Sequence, residues 1–361
     1  MLMKRFYTAL IVCLTAASSI NAGAAMPARK MHKAPQGIVA TSPKVLPATD
    51  VSSTAFTANW ENVAGAEGYC VFVYEPIDIE SDGTYKVLDE SFNLVNIGST
   101  IDPVWDESFS CSLDKDYDFT FTPDWTVIGC AFAKGMVSGN VYTPTTDLTN
   151  NDGKYRLVLD IVGQAGTKIK VTSTGSTTEI KEAVLTEHGG GTLTFDFTNG
   201  NHETYLYIVD MGIEGDDDGK YADVISFFDN ISIEQDLKAG DTVLRLVDIN
   251  DSVHSPDTSC RFQDMKFLYD ANRLCYDLYA AYVYYDDPTD PWNYDIDYSQ
   301  FSQLQDVVLS MASIREVEKT DSEESVYYDL NGRQMRGGLS SLDSGIYIER
   351  RGNLTRKVLI R

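Results

Sequence analysis

Apolar and polar residues alternate in two neighbouring runs near the start of the chain. Phe56, Ala58 and Trp60 alternate with Thr57 and Asn59, and Tyr69, Val71 and Val73 alternate after Gly65 and Gly68. A period of two is the mark of a half-buried strand, and the glycines mark the turn between the runs. A large Trp facing an inward Tyr on the next strand is a sandwich-core arrangement. Further short runs fall at 85–88, 155–162, 167–173, 192–197, 204–211 and 224–233. Turn signals separate them at Asn151-Asp152-Gly153, Gly189-Gly190-Gly191 and Asn199-Gly200-Asn201. Leu193, Phe195 and Phe197 share one face, as do Tyr205, Tyr207 and Val209. The pattern predicts an all-β chain whose middle is a jelly roll or similar sandwich.

The run from Trp60 through Gly65, Gly68, Tyr69, Val71 and Val73 resembles strands B and C of a fibronectin type III module. Leu268, Leu274, Tyr276, Leu278 and Ala280 resemble the run leading into its strand F, and residues 301–309 resemble strand G. Leu274 stands where that family places a tyrosine, so the resemblance implies that one corner hydrogen bond is missing. It also implies an immunoglobulin-like sandwich split into residues 44–80 and 244–312, with residues 81–243 inserted as a jelly roll.

Within the insert, Asp89-Glu90-Ser91-Phe92 comes first, then Thr122-Pro123-Asp124-Trp125, Thr143-Pro144-Thr145-Thr146-Asp147-Leu148 and Asp229-Asn230-Ile231. This order resembles the carbohydrate-binding-module-like jelly rolls of bacterial surface proteins. The resemblance implies a structural calcium where the first strand meets the last, with Glu90 and Asp229 as hard oxygen ligands. In the tail, residues 313–361, the segments Tyr328-Asp329-Leu330-Asn331-Gly332-Arg333, Gly345-Ile346-Tyr347-Ile348 and Lys357-Val358-Leu359-Ile360 resemble a type IX secretion sorting domain. That resemblance implies the type IX machinery as a partner and the outer cell surface as the destination.

Lys4 and Arg5, an apolar run over residues 9–17 and small residues at 22–24 predict a secretory signal peptide over residues 1–24, followed by a Pro-rich linker to residue 43. The apolar run is too short to span a bilayer, so no membrane span is expected. A net charge of -25 argues against nucleic acid as a partner, because phosphate binding needs a basic stripe. The acidity fits either a solubility role or cation binding.

Cys70, Cys111, Cys130, Cys260 and Cys275 follow the predicted cleavage site, an odd number that leaves at least one unpaired. Cys70 and Cys275 are expected to point outward at opposite ends of neighbouring strands, so they are not expected to pair. No CxxC spacing occurs, and no structural zinc site is expected. The four histidines form no HExxH, and there is no Gly-x-Ser-x-Gly elbow or P-loop. His202 and Asp210 could share a face without completing a nucleophilic set. Gly215-Asp216-Asp217-Asp218-Gly219 fits a solvated turn better than a calcium loop, since it lacks EF-hand spacing.

Tyr285, Trp292 and Tyr294 surround an acidic loop at residues 286–291. Flat rings on a loop suit recognition of a glycan or an extracellular protein, or else interdomain packing. The expected function is therefore non-catalytic, adhesin-like binding. A surface-assembly role is the alternative, and a polysaccharide-acting enzyme a third.

Overall fold

The computed structural model describes residues 41–106, 108, 110–213, 226–263, 265, 273–285, 294–309, 326–328, 345–351 and 354–360. The chain is all-β. In order, the strands are β1 Val45–Thr49, β2 Phe56–Trp60, β3 Gly68–Asp78, β4 Gly83–Glu90, β5 Val104–Trp105, β6 Ser110–Ser112, β7 Thr126–Ala133 and β8 Met136–Tyr142. They continue with β9 Tyr155–Val162, β10 Thr167–Thr174, β11 Thr178–Val184, β12 Gly191–Phe197, β13 Tyr205–Ile213, β14 Phe227–Leu237 and β15 Thr242–His254. The last are β16 Ser259–Phe262, β17 Arg273–Tyr285, β18 Tyr294–Tyr298, β19 Gln305–Val308, β20 Val326–Tyr328, β21 Gly345–Arg351 and β22 Leu354–Ile360.

Two sheets form a small sandwich. One has the order β1-β2-β16; the other runs β15-β3-β17-β18, with β19 also paired to β17. All pairings are antiparallel. The alternation of β2 puts Phe56, Ala58 and Trp60 inside, against Tyr69, Val71 and Val73 of β3 and Leu274, Tyr276 and Leu278 of β17. The rings of Trp60 and Tyr69 meet at 5.2 Å. Leu274 is a core residue and makes no corner bond. A tyrosine two positions on crosses between the sheets instead: Tyr276 Oη accepts from Asn59 N at 3.1 Å and donates to Leu46 O.

Between β3 and β15 the chain builds a second body. Strands β12, β9, β14 and β4 form one half of its sheet; β11, β10, β13, β8 and β7 form the other, with β5 and β6 along the β7 edge. The halves join where Phe228 of β14 meets Val137 of β8. Leu157, Leu159, Phe195, Ile231 and Ile233 of one half share a core with Val141, Ile169, Val171, Leu206 and Ile208 of the other. The strands expected near 85, 155, 167, 192, 204 and 224 are all present. The β7–β8 hairpin and β11 were not anticipated.

The outer face of the β3–β17 sheet does not meet solvent. Cys70, Phe72, Tyr74 and Cys275 are buried there with Leu244 and Leu246 of β15, and Phe301 packs against them. Cys70 lies opposite Tyr279 and Cys275 opposite Tyr74, so the two sulfurs sit on different rungs. All five cysteines after residue 24 are free thiols.

Residues 312–361 form a separate compact unit from residues 1–311. It contains an antiparallel sheet in the order β20-β21-β22. Among the described residues, no helix is long and apolar enough to cross a membrane.

Candidate binding cleft

The sequence 119–125 carries three aromatic residues. Phe119 and Trp125 are buried in the core of the inserted body, and Trp125 meets Phe92 edge-on at 5.6 Å. Phe121 alone turns outward, with 49% of its surface exposed. It stands at an open cleft whose walls include Lys86 and Asp89 of β4, Thr145, and Arg245 of β15. The cleft therefore lies where the inserted body meets the sandwich. Lys86 and Asp89 pair at 2.9 Å, and Arg245 is held by Glu75.

Glu90 holds Phe121 in place. It is fully buried, and its Oε2 accepts the Phe121 backbone N–H at 2.6 Å while Oε1 accepts that of Phe92 at 3.0 Å. Burial pushes its carboxyl up to about 7, and the hydrogen bonds from Phe121 and Phe92 only partly oppose this. The residue singled out as a calcium ligand thus anchors the loop at the cleft mouth. Asp229 lies elsewhere on β14. It is exposed, whereas Glu90 faces Ile231 across the β4–β14 ladder. Beside Asp229, the buried Asn230 Oδ1 has no hydrogen-bond partner.

The aromatic loop expected between strands F and G is only partly described. Trp292 and residues 286–291 lie outside the described residues. Tyr285 and Tyr294 are direct partners at the end of the β17–β18 hairpin. Tyr282, three residues before Tyr285 on β17, belongs to the sandwich core. The acidic turn at 215–219 also lies outside the described residues.

His202 is not associated with Asp210. It sits in the turn before β13, where Nε2 lies 2.6 Å from Asp277 Oδ2 of β17 and Nδ1 lies 3.6 Å from Asp147 Oδ2. Its ring also packs on Tyr74 and Phe301. Burial lowers the His202 pKa, but the hydrogen bonds and charges of Asp147 and Asp277 outweigh it and raise it to about 10. Asp277 is buried deeply enough that its carboxyl is raised despite His202. No Ser or Cys hydroxyl or thiol is hydrogen-bonded to this imidazole among the described residues. The group ties the insert to the sandwich as a charged, buried lock.

A second exposed apolar surface runs along the β5 edge. Ile101 is 94% and Trp105 55% exposed, with Val104 between them also exposed. Neither this edge nor the cleft was singled out in the sequence. The sequence carries no signal for Phe121: it stands an even number of residues from Phe119 and Trp125, and only the fold separates it from those two core aromatics. No family model matches the chain, and no curated protein is similar to it.

Proposed function

We propose that this protein is a secreted or cell-surface binding protein without catalytic activity, whose ligand is a glycan or an extracellular protein. The observation that carries this is Phe121: a half-exposed ring fixed through its own backbone, over a cleft edged by an ion pair, a hydroxyl and a guanidinium. A flat apolar face with convergent polar groups suits a sugar ring, which has an apolar face and equatorial hydroxyls. The fibronectin type III-like and carbohydrate-binding-module-like resemblances support the same reading, as do the signal-peptide pattern and the type IX sorting-like tail.

A glycan array probed with the chain from residue 25 to 325 tests it. Saturable binding to one glycan class, weakened at least tenfold by Phe121→Ala with an unchanged melting temperature, is the expected result. Binding indifferent to Phe121 and Asp89 would move the site away from this cleft. Structural calcium held through Glu90 and Asp229 belongs to the same proposal. A chelator should then lower the melting temperature, and an unchanged value removes calcium from the account.

The exposed Ile101, Val104 and Trp105 favour a second reading, in which the β5 edge docks a protein during surface assembly. Large exposed apolar side chains close together in sequence at a strand edge suit contact with another protein. Pull-down from extracellular matrix or outer-surface extracts, compared with Trp105→Ala, separates the two readings.

A further inference from the structure

One cluster of donor atoms plays no part in the binding cleft. It lies in the inserted body where β5, β6 and β7 meet. Asp106 follows β5, Cys111 is the middle residue of β6, and Cys130 lies on β7. One carboxylate oxygen of Asp106 and the sulfurs of Cys111 and Cys130 all lie within 4.8 Å of one another. Both thiols are buried, and Asp106 is half-buried.

The backbone explains how residues so spaced converge. Cys111 stands opposite Val127 on the β6–β7 ladder. Asp106 N–H donates to Cys130 O at 3.1 Å, so Asp106 is fixed directly across from Cys130. Between these rungs, Gly129 has a φ of 64° and the β7–β8 register shifts between Ile128 and Ala131. This bulge swings Cys130 towards Cys111.

Two neighbouring thiols could instead form a disulfide, but both cysteines are free thiols here. With a carboxylate oxygen of Asp106 beside them, the three donors suit one shared ion, since two thiolates on one zinc stand roughly 3.8 Å apart with Zn–S bonds of about 2.3 Å.

We propose that Asp106, Cys111 and Cys130 form a binding site for a thiophilic divalent cation, with Zn2+ as the best fit. Two thiolates and one carboxylate match the borderline-soft donor preference of zinc, and the half-buried Asp106 side leaves a fourth position for water. On binding, the two thiols release two protons, and each sulfur's lone pair forms one bond to the metal. Tyr117 donates to Asp106 Oδ2, and Ser108 N–H donates to Oδ1 at 2.7 Å. These bonds fix the carboxylate while leaving it lone pairs for a metal, the part an outer shell plays in zinc sites. The rings of Phe119 and Phe132 wall the site through Tyr117, with the Tyr117–Phe132 centroids 4.9 Å apart.

Cobalt titration of the full chain tests the site. The protein is stripped of metal and kept reduced with a phosphine, and Co2+ is the probe. One Co2+ per chain is expected, with near-ultraviolet thiolate-to-cobalt charge transfer and tetrahedral d–d bands, both erased by added Zn2+. Cys111→Ser and Cys130→Ser should each weaken binding more than tenfold, whereas Cys70→Ser leaves the spectrum unchanged. Tyr117→Phe should lower zinc affinity about tenfold. Absence of charge transfer in the folded, reduced chain overturns the proposal. So does a 111–130 cross-link in the peptide map of protein isolated without reductant. If the serine variants do not fold, the wild-type spectrum decides, and Asp106→Asn should shift its d–d bands.

Discussion

Glu90 and His202 both make stability fall as pH rises, and two other buried carboxyls, Asp124 raised to about 7 and Asp248 raised to about 6 by desolvation, act in the same direction as Glu90. The Glu90 carboxyl is raised from 4.5 to about 7 by burial. Its favourable state is the protonated one, so its contribution is complete below about pH 4.5 and is lost as pH rises through about 7. His202 is raised from 6.5 to about 10, because Asp147 and Asp277 outweigh its burial. Its contribution is complete below about pH 6.5 and is lost as pH rises towards 10. Denaturant titrations at stepped pH should therefore show stability falling in two stages. Glu90→Gln should shrink the lower stage, leaving the share of Asp124 and Asp248, and His202→Gln should flatten the upper one. His202→Gln should also cost about 3–5 kcal/mol near neutral pH, because it leaves Asp277 buried without a cation. Glu90→Gln has a second readout. A carboxamide offers one acceptor where two N–H groups point, so the Phe121 loop should loosen and cleft binding weaken even where the fold survives.

Among the strands, alternation carried most of the information. The runs at 155–162 and 192–197 pair in register along their whole length, Phe197 with Tyr155 and Leu193 with Leu159. The β7–β8 hairpin was hidden because the alternation that starts at Thr126 gives way, past a bulge, to four consecutive buried residues from Cys130 to Ala133, which breaks the period of two. That bulge also brings Cys130 to Cys111, so a zinc site could not be read from cysteine spacing. Two of the expected turns prove to be each other's partners. Gly200 N–H donates to Gly153 O at 2.9 Å. A Cβ on Gly200 would lie 2.6 Å from Leu148 O and 2.8 Å from Leu148 Cβ. Gly200→Ala should accordingly destabilise the inserted body by about 1–3 kcal/mol, measurable by thermal denaturation. The neighbouring turn at residues 189–190 is roomier at Gly189, where a Cβ meets nothing within 4 Å. There the left-handed φ of 94° is the main cost of substitution.

At the scale of the molecule, Trp60 and Tyr69 announced a sandwich from one short stretch because its core side chains alternate without interruption. The cleft was illegible because its walls come from β4, the 119–122 segment, the 144–146 segment and β15, joined only by the fold. The insert leaves and re-enters at one place: Gly83 pairs with Leu237 and Asp78 with Thr242. Residues 80–240 expressed alone should therefore fold cooperatively, as judged by near-ultraviolet circular dichroism. The sandwich closed by an Asn-Gly hairpin between Asp78 and Thr242 should fold but self-associate, since Phe72, Tyr74 and Leu246 would lose their cover. Monomeric behaviour of that protein in sedimentation would show that the outer face needs no cover.

The point of interruption also sets an order of events in time. Asp78 and Thr242 hydrogen-bond across a sequence separation of 164 residues. During synthesis or threading through a pore, β1, β2 and β3 emerge long before β15, β16 and β17 can pair with them. Closing so long a loop at random would be slow, and the waiting strand edges would be open to mispairing. Because the insert brings its own ends together, it converts that search into a short one: once β4 meets β14, β3 and β15 are already neighbours. The inserted body thus serves as a folding clasp for the sandwich that surrounds it.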